Sequence, residues 1–307
     1  MKQVLTAVVL ISILLAVPAS AQKPADEWLG KPVEDQTFKS YLDFFAYDRR
    51  LPFQTQVKGS EDDQGLRRTR LSFETTRAVR VPAILTEQTG GAAGKKPAII
   101  LLHGGVGSGK EATTTWATLF ARAGWSVLAI DLPEFGERGT GLLTTYSEQE
   151  KHDKLYNRPP EYLSWMTQLT KDVRRSYDFL VDERDADPRR VTLIGNSRGA
   201  MAASVAGAVE DRLAGVALIY GGHFDAFETG HLPAACPANY IGRIAPRPLF
   251  MINGKQDSDM IRDRSVEPLF EVARQPKEMI WTEGGHMFMK EEHRAALIQW
   301  LREKARR

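Results

Sequence analysis

The stretch VTLIGNSRGAMAAS, residues 191–204, decides the fold of this chain of 307 residues. It opens with an apolar run typical of a buried strand, passes through Gly-Asn-Ser-Arg-Gly and ends in small residues compatible with a helix. A strand, a sharp turn carrying Ser197 and a helix form a setting in which a serine hydroxyl acts as a nucleophile. The flanking glycines suit such a turn, because its strained backbone leaves little room for side chains. The pattern predicts Ser197 as a nucleophile, and the alternative is a serine in an ordinary strand-to-helix turn.

A serine nucleophile needs a base and an orienting acid, and both follow later in the chain. Asp257 comes after the apolar run 249–252 and a glycine turn, and His286 comes after the strand-like run 279–282. Each candidate therefore lies just past a predicted strand. We expect His286 to be the base and Asp257 the acid, with Asp259 as the substitute if that loop is longer.

A glycine loop supplies the remaining chemistry. The buried-strand pattern of 98–102 runs into His103-Gly104-Gly105. Backbone N–H groups aimed at the developing oxyanion stabilise acyl transfer. We expect the N–H groups of Gly105 and Arg198 to form this hole, with Gly104 as a further candidate. His103 is interpreted as a brace of the loop.

The chain resembles the α/β-hydrolase superfamily, in the style of its dienelactone-hydrolase-like and acetyl-esterase-like serine hydrolases. The segments that carry the resemblance are 103–105, 131–138, 195–199, 254–257 and 285–286. It implies an α/β fold with a mostly parallel central sheet and helices on both faces. Dienelactone hydrolases proper use cysteine as the nucleophile, so their reaction is not implied here.

The glycine loop also contains a misleading pattern. Residues 104–110 fit Gly-x-x-x-x-Gly-Lys, but a phosphate-binding loop needs Ser or Thr next, and position 111 is Glu. We therefore expect no nucleotide site, and a Lys110 that is exposed and dispensable.

The amino terminus has the pattern of a secretory signal. A short positive start, an apolar run over 4–17 and the small residues around Ala21 predict a signal peptide over 1–21. We expect a periplasmic or secreted protein without a stable membrane anchor. The single cysteine, Cys236, excludes an internal disulfide.

The remainder, residues 22–307, is expected to form one catalytic domain. Residues 22–65 are interpreted as an arm, followed by an antiparallel hairpin at the sheet edge (69–75 and 78–85) and then regular strand–helix alternation. Insertions near 132–159 and 222–246 follow strand ends, where ligand sites of such sheets form. The residues expected to bind substrate are Phe135, His223 and Met287.

The charged residues number 41 Lys and Arg against 39 Asp and Glu, a net charge of +2, which gives no signature of nucleic-acid binding. A metal site of His152, His223, His231 and Asp225 is disfavoured, because their spacings match no common ligand pattern. We expect no metal and no cofactor.

The function predicted from the sequence is that of a serine hydrolase that cleaves a carboxylic ester, with a small-molecule or acylated-carbohydrate substrate. The alternatives are a prolyl-oligopeptidase-like peptidase and a non-catalytic binding member of the fold. The first lacks a propeller-sized amino-terminal segment, and the second does not explain the three matched candidates.

Overall fold

A single sheet organises the part of the chain that the computed structural model describes, which is residues 26–90, 94–141, 147–224, 228 and 230–305. Its strands are β1 (Gln56–Asp63), β2 (Leu66–Thr76), β3 (Val79–Gln88), β4 (Lys96–Leu102), β5 (Ser126–Ile130), β6 (Ala186–Asn196), β7 (Gly215–Ile219), β8 (Leu249–Gly254) and β9 (Lys277–Thr282). They lie in the order β1-β2-β3-β5-β4-β6-β7-β8-β9. The strands from β5 to β9 in that order are parallel, and β1, β2 and β3 continue the sheet antiparallel.

Helices cover both faces of this sheet. They are α1 (Glu27–Gly30), α2 (Asp35–Tyr41), α3 (Thr114–Arg122), α4 (Glu148–Lys151), α5 (Pro159–Glu183), α6 (Arg198–Val209), α7 (Ala238–Ile241), α8 (Glu267–Val272) and α9 (Glu291–Glu303). Residues of β4 alternate between two cores: Ile99 and Leu101 pack with α3 and α9, while Ile100 and Leu102 pack with α5 and α6. Strands covered on both faces read as continuous apolar runs. The predicted fold class is confirmed.

The sheet edge differs from the prediction. The hairpin of β2 and β3 forms, but β1 pairs outside it through Gln56 to Asp63. Every residue of β1 is exposed, so its sequence QVKGSEDD carries no apolar alternation that would reveal a strand. The predicted arm, 22–65, therefore ends in a strand of the sheet that the sequence did not reveal.

The segment before β1 packs on the α5 and α7 side of the molecule. The rings of Phe38 and Phe45 meet Tyr240 of α7 with centroid distances of 5.5 and 6.0 Å. The buried guanidinium of Arg175 in α5 donates to the carbonyls of Arg49 and Leu51. These contacts anchor the arm from α2 to the start of the sheet.

The predicted signal peptide, 1–21, lies outside the described residues. Among the described helices, none combines the length and apolar composition that crossing a membrane requires.

Candidate active site

Ser197 occupies a strained turn between β6 and α6. Its backbone has φ 51° and ψ −118°, a conformation that residues other than glycine rarely adopt. The neighbouring glycines are required because a side chain at either position would clash. A Cβ on Gly195 would lie 2.3 Å from the Gly199 carbonyl oxygen. One on Gly199 would lie 2.4 Å from the His103 carbonyl oxygen. The turn therefore presents the serine hydroxyl at the carboxyl edge of the sheet.

His286 and Asp257 reach this hydroxyl from the ends of the next two parallel strands beyond β7. The Ser197 hydroxyl lies 2.9 Å from His286 Nε2, and His286 Nδ1 lies 2.7 Å from Asp257 Oδ2. A carboxylate only accepts, so Nδ1 carries the proton and Nε2 is left to accept from the serine. This tautomer is the one that a base toward Ser197 requires.

The Asp257 side chain is held by its own loop. Its Oδ1 accepts hydrogen bonds from the backbone N–H groups of Asp259 (2.9 Å) and Met260 (3.0 Å). The carboxylate is fully buried, and Oδ2 faces His286. Asp259 contributes its N–H to this arrangement, while its own carboxylate is exposed and accepts from the Ser258 hydroxyl. The structure thus brings Asp257, and not Asp259, into hydrogen-bond contact with the imidazole.

The glycine loop lies against the serine turn. A Cβ on Gly104 would come within 3.3 Å of Ser197 Cβ, and one on Gly105 within 3.7 Å of Arg198 Cβ. Within the described residues, no backbone carbonyl accepts a hydrogen bond from the Gly105 N–H. Gly104, Gly105 and Arg198 all line the cavity in front of Ser197.

His103 braces this loop. Its Nδ1–H donates to the Gly104 carbonyl (2.6 Å), and its Nε2 accepts from the Leu132 N–H (3.0 Å). Burial lowers the pKa of His103 to about 4, so the ring stays neutral while it joins the loops after β4 and β5. The ring edge also meets Phe135, at a centroid distance of 5.4 Å.

Lys110 is buried, so the expectation of an exposed side chain was wrong. It is 2% exposed, and its Nζ lies 2.8 Å from Asp131 Oδ2 and 2.7 Å from Glu137 Oε1. Its backbone N–H donates to Asp131 Oδ1 (2.8 Å). Asp131 is fully buried at the end of β5, so its carboxylate needs a cation there. Lys110 therefore ties the glycine loop to the loop that follows β5.

We expect Lys110→Met to lower the free energy of unfolding by about 3–5 kcal/mol, because it leaves a buried carboxylate without its cation. Lys58→Met is the matched control, since Lys58 also pairs with Glu137 but is half exposed. That variant should lose at most about 1 kcal/mol. Urea denaturation followed by circular dichroism measures both. Equal losses in the two variants would contradict the assignment.

A cavity of about 370 Å³ opens in front of Ser197. Its lining beyond the residues above includes Trp116, His152, Tyr156, Met260 and Met287. The Arg198 guanidinium lies over the Tyr156 ring at 3.7 Å and pairs with the buried Glu228, so this side chain belongs to the wall. His152 and Tyr156 belong to the 132–159 insertion, where the sequence predicted a ligand site.

Of the residues expected to bind substrate, only Met287 lines this cavity, with 54% of its surface exposed. Phe135 is fully buried in the hydrophobic core, where its ring packs against His103. His223 is buried outside the cavity lining, and its Nε2 is 3.0 Å from Asp26 Oδ2. The expectation was therefore wrong for these two. Asp225, named with the disfavoured metal site, lies outside the described residues.

A family model described as "Alpha/beta hydrolase family" matches residues 99–282. No curated protein matches the sequence. Among solved structures, acetyl xylan esterase 1 from Thermoanaerobacterium sp. JW/SL YS485 is similar with a TM-score of 0.67 and 16% identity, covering 91% of this chain and 98% of that one. An acetyl xylan esterase from Paenibacillus sp. R4 has a TM-score of 0.65 and 16% identity, covering 92% and 99%. At such identities these structures show a shared fold.

A further similar structure is a cold-adapted esterase from an Arctic intertidal metagenomic library. Its TM-score is 0.63 at 18% identity, and the match covers 80% of this chain and 97% of that one. The three neighbours thus match this chain over nearly their whole lengths.

Proposed function

This chain belongs to the alpha/beta hydrolase family, and from that premise we propose that it is a serine esterase that cleaves a carboxylic ester through an acyl-enzyme. The observation that carries the proposal is the continuous hydrogen-bonded path from Ser197 through His286 to Asp257, with Ser197 and His286 in the lining of a cavity. Structural neighbours named as esterases support the reaction class.

In the proposed reaction, Ser197 Oγ attacks the ester carbonyl carbon while His286 Nε2 takes the hydroxyl proton. The buried Asp257 carboxylate holds the imidazole in place and stabilises the imidazolium that forms. His286 then protonates the leaving alcohol, and the acyl group stays on Ser197. In the second half of the reaction, a water molecule deprotonated by His286 attacks the acyl carbon, the bond to Ser197 Oγ breaks as the acid leaves, and His286 returns the proton to Ser197. This sequence needs no cofactor.

We propose that the backbone N–H groups of Arg198 and Gly105 donate hydrogen bonds to the developing oxyanion, with Gly104 as the alternative donor in the loop. Arg198 follows the nucleophile directly, and the loop glycines pack on the same turn. Removing one such donor typically costs about 2.7–4 kcal/mol of transition-state stabilisation. The hydrogen bonds of His103 and the ion pair between Lys110 and Asp131 hold the glycine loop in position next to Ser197.

We propose an acylated carbohydrate with a short acyl group as the substrate class. The cavity of about 370 Å³ lies toward the low end of the roughly 300–1,000 Å³ of ligand pockets, which suits a short acyl chain. Trp116 in the lining offers apolar ring surface to a sugar. Two of the similar structures are acetyl xylan esterases, which supports this choice.

A panel of acyl esters and acetylated sugars tests the proposal. We expect kcat/KM to be highest for acetyl groups, to fall at least about tenfold by an eight-carbon acyl chain, and to include acetylated sugars. Hydrolysis of simple acetyl esters with no activity on acetylated sugars would contradict the carbohydrate assignment alone. Cleavage of prolyl peptides with no ester hydrolysis would contradict the esterase assignment itself.

We also propose that the protein is exported, on the sequence pattern of residues 1–21. Mass spectrometry of the protein made in a bacterial host should find a mature chain that begins at Gln22 in the periplasmic or secreted fraction. An intact chain beginning at Met1 and confined to the cytoplasm would contradict this.

A further inference from the structure

Three side chains of metal-ligating type meet in a cluster that is separate from Ser197 and from the residues that line the cavity. Asp26 Oδ2 lies 3.0 Å from His223 Nε2, and Cys236 Sγ lies 3.9 Å from each of these two atoms. His223 and Cys236 are buried, and Asp26 is about three-quarters buried. The three residues come from the arm, from the loop after β7 and from the segment before α7. The function proposed above gives none of them a role.

The arrangement is not a second nucleophile, base and acid. At Ser197 the serine and the carboxylate lie on opposite nitrogens of His286, which is what a proton relay needs. At His223 both the thiol and the carboxylate face the same atom, Nε2. Its Nδ1 is buried without a hydrogen-bond partner among the described residues. Sulfur, oxygen and nitrogen converge on one point, as ligands of an ion do.

The distances fit a zinc ion. Bonds of about 2.3 Å to sulfur and about 2.0–2.1 Å to nitrogen and oxygen separate tetrahedral ligand atoms by roughly 3.3–3.6 Å. The observed separations of 3.0, 3.9 and 3.9 Å need shifts of only a few tenths of an ångström. We propose that Asp26, His223 and Cys236 are three ligands of a Zn²⁺ ion, with water in the fourth tetrahedral position.

The ligands are already held in place. Asp26 uses Oδ1 to accept the Trp28 N–H (2.9 Å) at the start of α1, which leaves Oδ2 for the cluster. The His223 backbone N–H donates to the Ser265 carbonyl (2.9 Å). The Cys236 carbonyl accepts the Asn239 N–H (3.0 Å) in the first turn of α7. A site fixed by its backbone binds an ion without a large ordering cost.

Charge balance also favours a divalent ion. On binding, the S–H bond of Cys236 breaks, the S–Zn bond forms with the sulfur electron pair, and the proton leaves to solvent. One thiolate and one carboxylate then neutralise Zn²⁺, while His223 binds as the neutral ring. No net charge is left in a buried place.

The expected role of the ion is mechanical. It joins the arm at Asp26 to the loop after β7, 197 positions away. That loop contacts the cavity lining through Ser265. The His223 N–H donates a hydrogen bond to the Ser265 carbonyl, and the Ser265 hydroxyl lies 3.9 Å from Sδ of Met260, which lines the cavity. The sequence predicted no metal here, because no local spacing links residue 26 to residues 223 and 236.

Cobalt titration of the purified mature protein tests the site. Co²⁺ takes the zinc geometry, and a thiolate ligand adds a charge-transfer band in the near ultraviolet. The chain has one cysteine, so that band can come from Cys236 alone. We expect one equivalent of Co²⁺, displaced by Zn²⁺, with the band present in the wild type and lost in Cys236→Ser.

Matched variants separate this site from others. Asp26→Asn should weaken cobalt binding at least about tenfold, His293→Gln should bind as the wild type does, and Ser197→Ala should keep the band even though it lacks esterase activity. Cobalt on Asp257, Asp259 and His286, the other cluster of suitable groups among the described residues, would give no thiolate band.

Zinc should also raise the Tm of the wild type by several degrees at about a hundredfold excess over Kd, and raise that of Asp26→Asn by at most about half as much at the same zinc concentration. The proposal is overturned if the wild type binds less than about a tenth of an equivalent. Binding without the thiolate band, an adventitious ion only, overturns it as well. Neither result bears on ester hydrolysis.

Discussion

Ser197→Ala should lower kcat/KM for ester hydrolysis by about four orders of magnitude or more, because it removes the atom to which the acyl group bonds. The loss should leave the fold intact, since the turn keeps its backbone and only one oxygen is removed. Steady-state kinetics on a chromogenic acetyl ester measures the effect. Circular dichroism and the Tm are the controls for folding.

Ser204→Ala is the matched variant for this experiment. Ser204 lies in the same helix, α6, and its hydroxyl donates to the Met201 carbonyl away from the cavity. We expect it to keep activity within a few-fold of the wild type. Near-normal turnover in Ser197→Ala would contradict the proposed role of Ser197 outright.

Asp257→Asn should lower kcat by roughly 10³–10⁴-fold, because an amide that donates to His286 Nδ1 holds the ring in the wrong tautomer. The buried position of Asp257 excludes water as a substitute for the carboxylate. Single-substrate kinetics with the same ester gives the value.

Asp259→Asn serves as the control, since it removes a carboxylate two residues away and retains the backbone N–H that supports Asp257. We expect its activity to stay within about tenfold of the wild type. If Asp259→Asn lost more activity than Asp257→Asn, the assignment of the acid would be wrong.

The parts of the fold that the sequence predicted are those with local signals. The parallel strands β4, β5, β7 and β8 are buried almost throughout, so each reads as an apolar run, and the turn at Ser197 carries its own glycines. The meeting of Ser197, Asp257 and His286 could be anticipated because each follows a strand, and parallel strands end at one edge.

The errors arise where an environment depends on distant residues. Lys110 looked like a surface lysine, because its partner Asp131 lies 21 positions further along the chain. His223 looked like part of a binding loop, whereas its partner Asp26 is 197 positions away. β1 has no buried residue, so hydrophobic pattern could not reveal it. In each case pairing in space, and not local composition, decides the outcome.

The most direct test of the proposed function is to find where an active-site reagent bonds. The purified protein is treated with a fluorophosphonate, digested and analysed by mass spectrometry. One adduct per chain, on Ser197 and absent from Ser197→Ala and Asp257→Asn at the same exposure, is the predicted result. An adduct on another serine, or full labelling of the Asp257→Asn variant at the wild-type rate, would contradict the proposed mechanism.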